Sequence, residues 1–262
     1  MNQVWYFVKI ACLNNFAYSS RIILDLFGNI FLLVLFYFLW STVFIDTEDV
    51  GGYSFQSLMT YYALSFVLRQ ITVSGRVLRN ITKAVHDGTL STFLVKPSNF
   101  LLYEFWTLST EKIFKTILPI CLFLFAGWWY PDIFSWSSNL FTFLISLGFA
   151  FVLNFLIYAT LGVIAFWTTN TGGIRSIYGR VVDIMSGSLF PLDLLPAWLD
   201  PVIKFLPFPY LHFNVIEIYI GQIDNNQIGY VLLGQGIWIL LMILVFNILW
   251  KKGVRRYDSV GN

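Results

Sequence analysis

Charge is what this 262-residue chain has least of: Asp, Glu, Lys and Arg make up 11% of it, against 58% hydrophobic residues. So little polar surface cannot cover a soluble globule of this size, which excludes an ordinary soluble domain and leaves an all-α, polytopic membrane protein. Histidine is scarce too. His86 and His212 fall on opposite sides of the membrane in the topology derived below, so no His-based metal site or acid–base pair is expected. The two cysteines, Cys12 and Cys121, lie far apart in sequence and are expected to be free, buried thiols. There is no G-x-x-x-x-G-K-[ST] loop, no G-x-S-x-G elbow and no H-E-x-x-H helix. The chain is therefore expected neither to hydrolyse ATP nor to run covalent chemistry, and no catalytic residue is assigned. No cleavable signal peptide is evident at its first apolar stretch.

What is present is a series of apolar runs. Residues 1–21 mix aliphatic and aromatic residues with Lys9, Asn14 and Asn15, which suits a helix lying in the interface. Spans are expected at 22–44, 58–77, 113–129, 140–167, 178–190 and 228–250, at about 1.5 Å of rise per residue through a core of about 30 Å. The second carries Tyr61, Tyr62, Ser65, Arg69, Gln70, Thr72 and Ser74, a polar stripe that belongs inside a bundle or beside a wet cavity. Pro119 is expected to kink the third. The fourth is longer than the bilayer requires, and Thr168–Gly179 after it reads as a flexible loop. Prolines at 191, 196, 201, 207 and 209 forbid one continuous helix in the apolar segment 191–220, so short helices that enter the membrane and turn back are expected there.

With six spans and both termini cytoplasmic, fifteen of the sixteen Lys and Arg residues fall on the cytoplasmic side, and only Lys204 does not. The opposite orientation would put the clusters at Arg76, Arg79, Lys83 and at Lys251, Lys252, Arg255, Arg256 outside, against the positive-inside bias.

This orientation places Asn80–Pro97 in the cytoplasm. Its apolar residues Ile81, Val85, Leu90, Phe93 and Leu94 keep near-helical spacing, interrupted at Asp87–Gly88. The pattern reads as two short amphipathic helices hinged at that pair, either a compact basic handle or an ordinary solvated connector. Arg69 lies about 12 Å inside its span and must pair or snorkel; Asp25 and Asp183 sit at comparable depth as partners. Glu111 and Lys115 are spaced for a surface pair, and Glu217 and Asp224 read as solvated rim charges that would otherwise touch a cationic substrate.

Three segments in this order, NNFAYSSRIILDLFGNIF, VHDGTLSTFLVKPSNFLLYEF and SGSLFPLDLLPAWLDPVIKFLPFPYLHFNVIEIYIGQ, give the chain a resemblance to permeases of the ABC type 2 exporter family. The resemblance spans nearly all of the chain. It implies a bacterial cytoplasmic-membrane subunit that works as a homodimer, or as a heterodimer with a second permease, beside a separate ABC ATPase subunit that holds ATP and Mg. The lipid bilayer is its surroundings, and nucleic acid is not an expected partner. By similarity, Lys83, Val85, His86, Asp87, Gly88, Thr89 and Leu90 form the helix that docks on the ATPase. A substrate path at the dimer seam would be lined by Phe31, Phe38, Tyr62, Ser65 and Phe66. An ATP-independent channel or carrier, and a non-transporting assembly protein, are the rival readings.

Overall fold

The computed structural model describes residues 19–95 and 99–257, so the expected interfacial helix up to residue 18, Cys12 and the Lys96–Pro97 end of the handle lie outside the described residues. Among the described residues the chain is helical and has no strand. We number the helices α1 (Ser19–Val43), α2 (Phe55–Thr72), α3 (Gly75–His86), α4 (Leu90–Val95), α5 (Phe100–Trp129), α6 (Leu140–Val163), α7 (Thr171–Met185), α8 (Asp200–Lys204), α9 (Phe213–Ile220) and α10 (Asn225–Arg256). Three are long and apolar enough to cross a bilayer: α5, α6 with its 3₁₀ extension to Phe166, and α10. Phe27–Val43 of α1 is a shorter apolar helix.

The central element is α6, which packs against α10 and α3 above all, and also against α2, α7 and α9. Its inward positions Ala150, Leu153, Asn154, Ala159 and Val163 are fully enclosed. Small residues let neighbours come close. A Cβ at Gly162 would sit 3.0 Å from Ile81 Cβ and 3.2 Å from Leu78 Cα, so α3 lies nearly backbone to backbone on α6. Without a difference in apolarity between lipid and protein interior, such close packing and interhelical hydrogen bonds are what hold the bundle together. Gln235 of α10 is one of these bonds: it is buried, accepts from Ser146 Oγ and donates to the carbonyls of Ser146 and Tyr210.

Several boundaries differ from the sequence reading. Span two was expected to run to Val77, but α2 stops at Thr72 and α3 starts at Gly75, with Val73 extended between them. The reason is tertiary: the Thr72 carbonyl accepts from Asn154 Nδ2 and from Ser74 Oγ, both at 2.8 Å, so it has partners outside the helix ladder. The handle consequently begins at Gly75, not Asn80. The span expected at 113–129 starts earlier, at Phe100, as part of one helix, α5, which contains Pro119. Residues 171–179, expected as flexible loop, belong to α7, started by Asn170, whose side chain accepts from Gly173 N. The expected fifth span at 178–190 therefore ends at Met185, where Gly187 takes φ +79°.

The proline-rich segment does consist of short pieces: 3₁₀ turns at Leu192–Leu194, Ala197–Leu199 and Pro209–Leu211, then α8 and α9. Phe213 N donates to Ser186 O at 2.9 Å, so the chain returns from this excursion to the end of α7. Cys121 is free and exposed on α5 rather than buried.

Candidate functional site

The handle owes its shape to α3. Val77, Leu78, Ile81, Ala84 and Val85 face the core, while Arg76, Arg79 and Lys83 take the other side at i, i+3 and i+7. Asp87 caps the helix end, and Gly88 reverses the chain with φ +73°, a conformation in which a side chain meets its own backbone. Leu90 then buries completely and starts α4, where Phe93 rests edge-on against Phe100. The seven expected docking residues thus divide by role. Lys83, Asp87 and Thr89 are exposed, and His86 and Gly88 are half-buried. Val85 and Leu90 belong to the core cluster with Phe100, Phe166 and Phe246, so they anchor the handle instead of presenting themselves.

Above the handle, at the break between α2 and α3, polar groups from four elements meet inside the protein. Thr72 Oγ1 lies 3.0 Å from His212 Nε2, Asn154 Nδ2 bonds the Thr72 carbonyl, and Tyr178 Oη donates to Asn154 Oδ1 at 3.1 Å. Burial, then the charge of Arg69, holds the His212 imidazole down to about 3, so it is neutral at any physiological pH. One turn back on α2, Arg69 pairs with Asp183 of α7 at 3.1 Å, each about a third exposed. The side chain of Asp25, the other expected partner, lies outside the described residues. A partly exposed pair like this fixes orientation more than it adds stability.

A second polar lattice joins α3 and α2 to α5. Glu111 is 8% exposed and carries both Arg76 and Lys115; Asn80 donates to buried Glu104 at 2.8 Å, and Lys112 Nζ donates to the Gln70 carbonyl at 2.6 Å. The expected surface pair of Glu111 with Lys115 is corrected accordingly: Arg76 converts it into an interior link. Glu104, Leu108, Glu111 and Lys115 recur at four, three and four residues, the stripe of one helix face, and that periodicity was the available signal.

At the far end of α2, Val50 and Tyr53 form an antiparallel bridge around Gly51 and Gly52, both at positive φ. This turn aims Tyr53 inward, where its hydroxyl lies 2.7 Å from Glu217 Oε1 and 3.1 Å from Asp193 Oδ2. Glu217 is 3% exposed, so its expected role as a solvated rim charge is wrong: α9 packs it among Val215, Ile216, Ile218 and Tyr219. Burial, with the nearby charge of Asp193 adding to it against the Tyr53 hydrogen bond, pushes the Glu217 carboxyl up to about 7. Asp224 stands just before α10 and is exposed.

The five residues expected along a substrate path are not brought together. Phe31 and Phe38 are each 63% exposed on α1, and Phe66 is half-buried. Tyr62 is enclosed, its ring stacked on Phe36 at 4.1 Å, and Ser65 is enclosed with its hydroxyl given to Ser188 O at 2.6 Å. Within a single chain, Tyr62 and Ser65 are packing residues.

A bundle of apolar helices with an amphipathic, core-anchored handle and interior polar locks defines an all-α membrane protein. No curated protein matches the chain. Residues 30–261 match the family model described as ABC-2 family transporter protein, and the chain belongs to that family. The family consists of membrane subunits for transport, which implies an ABC ATPase as partner.

Proposed function

We propose that the chain is the passive transmembrane subunit of an ABC exporter, with both termini in the bacterial cytoplasm and six passages through the membrane. The long helices α5, α6 and α10 make three of these passages, and the other three are assigned to α1, to the path of α2 with α3, which packs on α5 and α6, and to α7. Two copies, or one copy and a sister permease, form the transport unit, and a separate ATPase subunit supplies ATP, Mg and motion. The exposed apolar faces of α1, with Phe31 and Phe38, and of α7, with Ile177 and Ile184, supply the seam. The observation that carries this reading is the handle: exposed Lys83 on α3, and Asp87 and Thr89 in the turn that follows it, are held by helices whose other face is fixed in the core along α6. A push on that surface moves α3 as a lever, and the neighbouring break at Val73–Ser74 turns α3 against α2.

The test is direct. Asp87→Trp places a bulky ring on an exposed position, so the protein stays folded while a docking surface is spoiled. ATPase subunit recovered with the purified, membrane-extracted chain is expected to fall by about tenfold or more, as for loss of a central interface contact. Undiminished recovery would count against docking there.

A further inference from the structure

Tyr53, Asp193 and Glu217 come from three separate pieces of chain and share more acceptors than donors. A phenol carries one proton, and each ionised carboxylate carries none. The two contacts of the Tyr53 hydroxyl, 2.7 Å to Glu217 and 3.1 Å to Asp193, are therefore both hydrogen bonds only when one of the two carboxyls is protonated. Asp193 is exposed to water; Glu217 is enclosed. A proton on Glu217 lets it donate to Tyr53 Oη while Tyr53 donates to Asp193 Oδ2; with Glu217 ionised, Tyr53 donates to Glu217 Oε1 instead.

We propose that this trio is a proton-operated latch that holds the 192–194 turn against the Val50–Tyr53 turn, at the end of α2 remote from the handle. When Glu217 loses its proton, two carboxylates compete for one hydroxyl. The buried carboxylate keeps it, since water cannot serve Glu217, and exposed Asp193 lets go and hydrates. The 192–194 turn is then released from its partner. Leu194 packs on the same turn, its Cδ2 2.7 Å from where a Cβ at Gly51 would lie, so release frees an apolar contact as well.

The titratable groups facing Glu217 are Tyr53 of the turn, Tyr61 of α2 and Asp193; burial and the neighbouring carboxylates push the Tyr53 phenol above its ordinary range, so it stays protonated. Glu217 has its ordinary value of 4.5 when unfolded and about 7 when folded. Its contribution to stability is thus fully present below about 4.5 and is lost as pH rises through about 7.

Spin labels on Glu48→Cys and Trp198→Cys, both at exposed positions, in a Cys12→Ser, Cys121→Ser background in lipid nanodiscs, read the latch as a distance. The wild-type trio is expected to give a short, narrow distribution at pH 5.5 and a longer, broader one at pH 8.5. Glu217→Gln, whose amide donates permanently to Tyr53, and Asp193→Asn, an exposed change that removes the competing carboxylate, are expected to stay short at both. Equal distances at the two pH values with the trio intact, or a pH shift that survives in both variants, would overturn the latch.

Discussion

Gly187→Ala is expected to be among the most destabilising single substitutions in the chain. Gly187 has φ +79°, where a Cβ costs about 1–2 kcal/mol. The added Cβ would stand 2.9 Å from Phe213 Cβ, which cannot rotate aside, and 2.7 Å from Tyr61 Oη. Tyr61 is fully enclosed and gives its only hydroxyl proton to Gly187 O at 2.5 Å, so displacing it strands a buried donor at a further cost of about 1–3 kcal/mol. The sum, about 2–5 kcal/mol before any overpacking is added, is a large part of the total stability of an ordinary domain. Monodisperse protein recovered after extraction should nearly vanish. Gly236→Ala, where a Cβ meets nothing within 4 Å, should behave as wild type in the same assay.

Glu111→Ala should rank next. It removes the carboxylate that binds both Arg76 and Lys115, and it does so between α3 and α5. Breaking a buried ion pair costs about 3–5 kcal/mol, and the lower end applies because the Arg76 side chain keeps 42% exposure and can turn toward water. With about 2–4 °C lost per kcal/mol for a chain of this size, the unfolding midpoint at a fixed heating rate should drop by about 10 °C. Glu111→Asp, which keeps the charge, should recover part of the loss. If Glu111→Ala melts with wild type, the lattice between α3 and α5 is not holding the handle in place.

How much of this was legible in the sequence depended on whether a feature is local. The reversal at Asp87–Gly88 was readable, because an amphipathic run that meets a glycine and then resumes has few other solutions, and the glycine does take positive φ. The short pieces of 191–220 were readable for the same reason, since proline acts on its own backbone. The end of α2 was not. Nothing in Arg69–Arg76 forbids a helix; the break rests on Asn154, eighty-two residues away, bonding the Thr72 carbonyl. Glu217 was misjudged as a rim charge by residue type, although it stands in FNVIEIYI with apolar residues on every side of the helix. Its partner Tyr53 is 164 residues distant, and no spacing in the sequence announces that pairing. Tyr62 and Ser65 show the same limit: a polar stripe on a sheltered helix looks alike whether it lines a passage or packs on Phe36 and bonds the Ser188 carbonyl.

Thr89 and its exposed neighbours are proposed to face an ABC ATPase in the assembled transporter. A benzophenone amino acid placed at Thr89, irradiated in intact membranes, tests it with adducts identified by mass spectrometry. An ABC ATPase subunit is expected attached at Thr89, and none attached to the same probe at Asp49, before the turn at the opposite end of α2. An ATPase adduct at Asp49, or only lipid and unrelated proteins at Thr89, would contradict it.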